Sequence, residues 1–302
     1  MKNWRKLTSL ALSLALVGTL AGCGKQTQEN PDPTEEAAAP TPEMMEIEYR
    51  DPDVKAMVEA GANIVYAENY GIYNMEGDSV DSAIKATVYY DLDEDKVVRI
   101  DFDEARLTAA VGGADGWAKL DEETAALLGD DVLTLEDGAV YPVSFTLGGL
   151  TWTGTVEDSG PRYTATVDGQ EVEFVEYVAT QEGGKWYHDN REQGAQLLNA
   201  AGETVATVEI GTKASIGHGV GFWLSPITFP GNIELIKNYI YDNGVNYDYA
   251  PQGSDMVKND DGVWVVADTI TGATLAGAPN YFNMVKAACE QIAAGDYNTV
   301  DE

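Results

Sequence analysis

The feature that most limits the possible folds of this 302-residue chain is a set of short segments in which apolar and polar residues alternate. Residues 84–90 and 98–102 alternate in this way, and residues 91–96 between them are turn-like. Such alternation indicates a strand with one buried face, and a short polar connection favours antiparallel pairing. The pattern therefore predicts an antiparallel hairpin.

A second β-rich region is predicted from about residue 112 to residue 207. It contains the pairs Asp137-Gly138 and Asp168-Gly169, and Asp-Gly between apolar runs is a strong hairpin signal. The runs that are interpreted as strands are 140–147, 163–167 and 172–178. Residues 191–199 favour a short helix that closes this region before Gly202.

Helical periodicity is clearest toward the C-terminus. Asn232 is placed to cap a helix with an apolar stripe, and Gly244 stands where a glycine ends such a helix. A strand over 263–267 and a final helix from about Pro279 follow, and another helix is predicted within 53–62. These patterns predict an α+β fold with a mostly antiparallel sheet and packed helices.

The charge balance excludes one class of partner. Lys and Arg number 18 against 51 Asp and Glu, which gives a net charge of −33. A chain this acidic repels phosphate backbones, so nucleic acid is excluded as a main partner. Apolar residues make up 44% of the chain, which is enough to bury a core and excludes a wholly disordered protein.

The first residues resemble an export signal. Three basic residues within the first six precede an apolar run at 10–20, which is too short to span a bilayer. The run ends in Leu20-Ala21-Gly22-Cys23, the pattern of a bacterial lipobox. We therefore expect residues 1–22 to be a lipoprotein signal peptide and Cys23 to carry lipid that anchors the chain to the bilayer. The alternative is an ordinary signal peptide with a chance cysteine.

Residues 23–50 are expected to form a flexible tether behind that anchor. The segment is polar and contains several prolines, a composition typical of semi-extended linkers. Cys289 is the only other cysteine, so a lipidated Cys23 leaves no intrachain disulfide. The fold must then be stabilised by its core.

One short motif carries the candidate chemistry. The residues Asp268-Thr269-Ile270-Thr271-Gly272-Ala273-Thr274-Leu275 lie between the predicted strand and the final helix. Small residues there expose the backbone and threonine hydroxyls, and the following helix start favours a bound phosphate. The motif resembles the Asp-x-x-Ser/Thr-Gly-Ala-Thr flavinylation motif of the FMN-binding domain, known from flavinylated subunits of Rnf-type and sodium-pumping electron-transport complexes.

The resemblance implies a site and a function. Thr274 would carry FMN through a phosphoester, with Asp268, Thr271, Gly272 and Ala273 as the remaining motif residues. A flavin transferase using FAD would attach the cofactor, and membrane or surface redox proteins would exchange electrons with it. The FMN-binding domain would comprise residues 51–111 and 208–302, with 112–207 as a β-rich insertion.

Structural explanations for the same residues remain open. Asp and Thr before a helix are ordinary capping residues, and Gly-Ala is an ordinary tight turn. Large aromatic residues are usually buried in the core, although four of them could pack against a flavin ring. These four are Trp264, Tyr281, Phe222 and Trp223.

Other motifs support no further chemistry. His188 and His218 lack partners at zinc-ligand spacing and are interpreted as surface or loop residues. Residues 217–221 are glycine-rich without dinucleotide-binding spacing. The acidic residues at 91–95 fail the calcium-loop pattern, because Lys96 stands where glycine is needed. No nucleophile elbow or specific catalytic carboxylate pair is found.

The sequence therefore predicts an extracytoplasmic, lipid-anchored electron carrier with covalent FMN. The alternative is a non-flavin ligand-binding or adhesive surface lipoprotein, in which the Thr274 segment only begins a helix. A weaker third hypothesis is a terminal reductase that passes electrons to a small acceptor. Flavin content separates the first two, and steady-state turnover with a reduced donor tests the third.

Overall fold

The computed structural model describes most of the chain from residue 46 onward. The described residues are 46–73, 82–107, 120–136, 138–157, 160–212, 227–247, 256–266, 269–273, 275 and 277–300. The predicted signal peptide, Cys23 and most of the predicted tether lie outside them.

The helices differ in length, and the two longest lie toward the C-terminus. They are α1 (Val54–Glu59), α2 (Glu122–Leu128), α3 (Phe174–Val178), α4 (Gln181–Asn190), α5 (Phe229–Asn243) and α6 (Ala278–Ala293). A 3-10 turn at Arg191–Gln193 follows α4. The predicted helix within 53–62 is confirmed as α1, which Asp53 caps by accepting the N–H of Ala56.

The strands form antiparallel pairs throughout the described residues. In chain order they are β1 (Ile64–Tyr73), β2 (Ser82–Asp91), β3 (Lys96–Arg106), β4 (Val132–Thr134), β5 (Val140–Pro142), β6 (Ser144–Leu147), β7 (Leu150–Glu157), β8 (Gly160–Val167), β9 (Gln170–Glu173), β10 (Ala195–Leu198), β11 (Thr204–Val208), β12 (Met256–Lys258), β13 (Trp264–Val266), β14 (Thr269–Ile270) and β15 (Asn298–Thr299).

The first sheet has the strand order β15-β1-β2-β3. Its β2–β3 hairpin confirms the predicted one, and Asp91 stabilises the turn by accepting the N–H groups of Asp93 and Glu94 at 2.9 and 3.1 Å. Helix α6 packs on β1 and β2. The sheet therefore forms the base on which α6 lies.

The second sheet has the strand order β11-β10-β6-β7-β8-β9 and, apart from Val208 at the end of β11, lies within the predicted β-rich region. The turn between β8 and β9 has positive φ at both Asp168 and Gly169 (+50° and +80°), as a two-residue hairpin requires. This Asp-Gly prediction is confirmed. Strands β4 and β5 pair around Gly138 (φ +82°), while Asp137 lies outside the described residues.

Two predictions in this region are wrong. The strand predicted over 172–178 stops at Glu173, whose carboxylate accepts the N–H of Glu176 at 2.7 Å and so begins α3. The helix predicted over 191–199 is only the 3-10 turn, because Gly194 (φ +71°) breaks it and β10 follows. The actual helix is α4, which precedes that segment.

Helix α5 begins earlier than predicted. Its cap is Thr228, whose hydroxyl accepts the N–H of Gly231 at 3.0 Å. Asn232, the predicted cap, is instead a fully buried residue inside the helix. The predicted end at Gly244, the strand at β13 and the final helix α6 are confirmed.

Buried apolar residues form two main cores. The first core lies between the first sheet, α5 and α6, and contains Ile84, Tyr281 and Phe282. The second core lies under the second sheet with α3 and α4, and contains Ala83 and Trp152. Adjacent strand residues point to opposite faces, so Ala83 and Ile84 belong to different cores. The fold is α+β with mostly antiparallel sheets, as predicted.

The described residues belong to one compact unit, Pro42–Glu302. Within them, no helix is long and apolar enough to cross a membrane. Cys289 is a free cysteine on α6, and burial raises the pKa of its thiol to about 12.

Candidate functional site

The described part of the motif connects β14 to α6, and we refer to residues 271–273 and 275 as the motif turn. Of the predicted site residues, Thr271, Gly272 and Ala273 are described, whereas Thr274 and Asp268 lie outside the described residues. Thr271, Ala273 and Leu275 are buried. The residues directly before and after Thr274, Ala273 and Leu275, are therefore described.

Trp264 holds the motif turn through both its main chain and its side chain. Its N–H donates to Ala273 O at 2.8 Å, and its carbonyl accepts the N–H of Thr271 at 3.0 Å. Its indole Nε1 donates to Leu275 O at 2.7 Å. Trp264, one of the predicted candidates for packing against a flavin ring, fixes the position of the turn through these three bonds.

Thr271 and Gly272 give the turn its shape. The Thr271 hydroxyl donates to Trp264 O at 2.9 Å and accepts the N–H of Ala273 at 3.0 Å. Gly272 has φ +80°, a conformation that residues with a side chain rarely adopt. A Cβ on Gly272 would also lie 3.3 Å from Leu235 of α5. Both residues therefore have a structural reason to be in the motif.

Leu275 links the turn to the first turns of α5 and α6. Its N–H donates to Asn232 Oδ1 at 3.1 Å, and Asn232 Nδ2 donates to Thr228 O at 3.1 Å. Its carbonyl also accepts the N–H of Ala278, the first residue of α6, at 3.0 Å. Asn232 is a site residue whose role the sequence analysis missed, because helix periodicity does not indicate this tertiary contact.

The motif turn thus lies beside the N-terminal ends of two long helices. These ends carry partial positive charge and N–H groups that are unsatisfied within the helix. Gly277 precedes α6 and makes no side-chain cap hydrogen bond. The local field therefore favours an anion close to the turn.

A cavity of about 210 Å³, which we name the β3 cavity, borders the same helix ends. Its walls include Phe102 and Asp103 of β3, Phe229, Ile233 and Glu234 of α5, and Tyr281 of α6. Asn232 and Leu235 of α5 contact the motif turn, and Ile233 and Glu234 of the same helix line the cavity. One turn of α5 therefore joins the motif turn to the β3 cavity. Of the predicted aromatic contacts, Tyr281 lines this cavity, and Phe222 and Trp223 lie outside the described residues.

Buried polar groups support one wall of the β3 cavity. The Tyr281 hydroxyl donates to Glu104 Oε2 at 2.5 Å, and the Ser82 hydroxyl donates to Glu104 Oε1. Phe102 packs edge-on against Tyr281, with ring centroids 5.2 Å apart. The wall is therefore held in one arrangement.

Asp103 joins the strand that borders the cavity to α4. Arg191 Nη2 donates to Asp103 Oδ2 at 2.7 Å, and His188 Nδ1 lies 3.3 Å from the same oxygen. Burial alone would raise the pKa of Asp103, but its hydrogen bond with His188 and the nearby positive charges hold that pKa below its ordinary value. The interpretation of His188 as a surface or loop residue is wrong, since its side chain is 3% exposed within α4.

A larger polar cleft of about 420 Å³ lies between β1 and the outer side of α6. Its lining includes Asn69, Asn280, Asn283 and Glu290. No group of three or more His, Cys, Asp or Glu side chains among the described residues is arranged to hold a metal ion. His218 and the glycine-rich segment 217–221 lie outside that part of the chain.

Comparisons with known proteins add no identification. No protein-family model, curated protein or solved structure gives a significant match to this chain. Function is therefore inferred from the motif and from the geometry around it.

Trp264→Phe is expected to loosen the motif turn without unfolding the protein. The substitution keeps the main-chain bonds and an aromatic ring, but removes the indole donor to Leu275. We expect a loss of about 1–2 kcal/mol in the free energy of unfolding, measured by urea denaturation, and slower flavin incorporation by a flavin transferase. Trp186→Phe is the matched control. The Trp186 indole donates to Gly148 O at 3.4 Å, and Trp186 packs against the second core rather than the motif turn. Equal incorporation rates in both variants would contradict the role given to Trp264.

Proposed function

We propose that this protein is an extracytoplasmic electron carrier anchored by lipid on Cys23, with FMN attached to Thr274 through a phosphoester. The observation that carries the proposal is the motif turn. Trp264 and Asn232 hold the residues on either side of Thr274, and Leu275 joins them to the starts of α5 and α6. An ordinary helix start needs none of these tertiary bonds.

The residues around the turn suit a phosphate group. Leu275 lies beside the first turns of α5 and α6, and aligned peptide dipoles favour negative charge there. Gly272 and Ala273, which directly precede Thr274, carry no bulky side chain. A phosphoester at this position would have electrostatic support from the nearby helix ends.

Thr274 would supply the acceptor oxygen when FMN is attached. Its Oγ forms a bond to the phosphorus of the FMN half of FAD, the pyrophosphate bond breaks, and AMP leaves. The hydroxyl proton passes to a base of the flavin transferase or to solvent. Thr274 is in this sense the substrate of another enzyme, and the chain itself need not be a catalyst.

The β3 cavity suits one edge of a flat ring. Phe102, Phe229 and Ile233 offer apolar faces, and such faces pack well against aromatic cofactors. At about 210 Å³ the cavity is smaller than pockets that enclose a whole ligand, so part of the ring would stay open to partners. Bound FMN would supply the electron transfer, because its ring accepts and releases electrons.

Covalent attachment has a physical purpose outside the cell. A dissociable cofactor would be lost to the medium, whereas a phosphoester retains it at any dilution. Membrane or surface redox proteins are the proposed donors and acceptors, reached from the bilayer through the predicted tether at 23–50. A net charge of −33 favours partners with basic docking surfaces.

One observation favours the alternative of a non-flavin ligand-binding or adhesive lipoprotein. The polar cleft beside α6 is twice as large as the β3 cavity, about 420 against about 210 Å³. Three asparagines line it, and side-chain amides both donate and accept hydrogen bonds to polar ligands. This alternative requires no flavin on Thr274.

Mass analysis of one peptide tests the proposal. We would express the full chain with a flavin transferase and digest it with trypsin, which releases residues 259–286 intact because Lys258 and Lys286 flank a segment without Lys or Arg. The expected peptide carries the mass of FMN less one water.

The control is the same chain expressed without the transferase, which should yield the unmodified peptide. A known flavinylated protein, modified in parallel, would establish that the transferase is active. An unmodified peptide 259–286 beside that active control would contradict the flavin-carrier function and favour the alternative.

A further inference from the structure

The β-rich region meets the strand that borders the β3 cavity through a small cluster of ionisable residues. The cluster consists of Asp103 on β3, His188 on α4 and Arg191 directly after α4. Asp103 borders the cavity on β3, but its carboxylate turns toward α4, on the face of the strand opposite to Phe102 and Glu104. Its Oδ2 contacts both Arg191 at 2.7 Å and His188 at 3.3 Å. The predicted insertion, residues 112–207, thus supplies two of the three residues.

The cluster is partly shielded from water. The side chains of His188 and Arg191 are 3% and 18% exposed, and that of Asp103 is 34% exposed. His188 Nε2 and Arg191 Nε are buried and make no hydrogen bond to any residue in the described part of the chain. Charges in such partly buried surroundings are screened less than those of fully exposed pairs.

Helix α4 is fixed against the first sheet, which holds these charges in place. Gln181 accepts the N–H of Tyr70 at 3.0 Å and donates to Tyr70 O at 2.7 Å. Gly184 approaches so closely that a Cβ there would lie 2.6 Å from Tyr70 Cβ. The Tyr187 hydroxyl also donates to Arg106 O at 2.6 Å. The cluster therefore has a defined position relative to the cavity.

We propose that Arg191 sets the reduction potential of a flavin seated in the β3 cavity by neutralising Asp103, so that the inserted region tunes the cofactor. This inference rests on the proposed function. Reduction adds negative charge to the flavin, which a nearby uncompensated carboxylate opposes. Arg191 and Asp103 act by position and charge, and take no part in electron transfer.

Opposite charge changes should shift the potential in opposite directions. Arg191→Gln leaves Asp103 less compensated, makes the cavity more negative and lowers the potential. Asp103→Asn leaves Arg191 without its counter-charge and raises the potential. At a fixed solution potential, we expect the ratio of reduced to oxidised flavin to change about tenfold. This corresponds to a shift of about 30 mV in the reduction potential of a two-electron couple. Arg191→Lys keeps the charge and should stay close to the wild-type potential.

The experiment is a redox titration of the full flavinylated chain at one pH, followed by flavin absorbance. Lys185→Gln removes one positive charge from the same helix and is the matched control, since its pair with Asp189 is exposed at 57% and 53% and does not border the cavity. Each variant is first checked for folding by circular dichroism and for flavin by the mass of peptide 259–286.

Opposite shifts for Arg191→Gln and Asp103→Asn, with none for Lys185→Gln, are the expected result. Shifts of the same sign in both variants would indicate damage to the site and overturn the inference, as would no shift in either. An unmodified wild-type peptide would overturn the proposed function and this inference together. A modified peptide without opposite shifts would overturn the inference alone.

Discussion

Thr274→Ala is expected to give a folded protein that carries no covalent flavin. The substitution removes the hydroxyl that the phosphoester needs. The bonds on either side, from Trp264 to Ala273 and from Leu275 to Asn232, use main-chain atoms of the motif and persist. In-gel flavin fluorescence after denaturation should fall to background, and peptide 259–286 should show only the mass of its own sequence.

Thr204→Ala is the matched control for this result. Thr204 is an exposed threonine at the start of β11, far from the motif in sequence and in a different sheet. Its substitution removes the same side-chain atoms as Thr274→Ala. That variant should retain full fluorescence. Flavin of wild-type intensity on Thr274→Ala would place the attachment on another residue and refute Thr274 as the site.

Trp152→Ala should cause the largest loss of stability. Trp152 is fully buried in the second core, with Phe174 and Trp186 at ring-centroid distances of 4.8 and 5.7 Å. Truncation leaves a cavity that costs about 3–5 kcal/mol of the free energy of unfolding. Urea denaturation followed by circular dichroism should show a lower midpoint. Flavin incorporation per folded molecule should not change, because Ala273 and Leu275 belong to the first core.

Two further variants separate packing from other causes. Leu127→Ala removes an apolar side chain that is 57% exposed and should change stability by less than about 0.5 kcal/mol. Trp152→Phe should cost less than Trp152→Ala, because Trp152 Nε1 is buried without a hydrogen-bond partner among the described residues. A loss below about 1 kcal/mol for Trp152→Ala would contradict the close packing of the second core.

Local signals account for the parts of the fold that were predicted correctly. The β2–β3 hairpin follows from alternation, and the turn at Asp168-Gly169 follows from the positive φ that both residues tolerate. The ends of α5 and α6 follow from Gly244 and from the proline near the start of α6. Each of these depends on neighbours in sequence.

The errors occur where distant contacts override local preference. Helix α4 contains Gly183 and Gly184, which weaken a helical pattern, yet both are needed because a Cβ would collide with Tyr177 O or Tyr70. Residues 195–198 form a strand because β6 and β11 pair with them on both sides. Asn232 was predicted as a cap from its type and position, but its amide is used inside the helix to hold Leu275.

The sequence by itself determined the candidate chemistry, because the motif from Asp268 to Thr274 is contiguous and its small residues and hydroxyls can be read directly. It also determined the α+β class through the periodicity of its strands and helices. Only the tertiary structure decided what surrounds the motif, which is Trp264 and Asn232 at the turn, and it brought Arg191 to Asp103. Arg191 meets Asp103 across 88 residues of chain, and such contacts arise from the packing of whole elements, which no local pattern encodes.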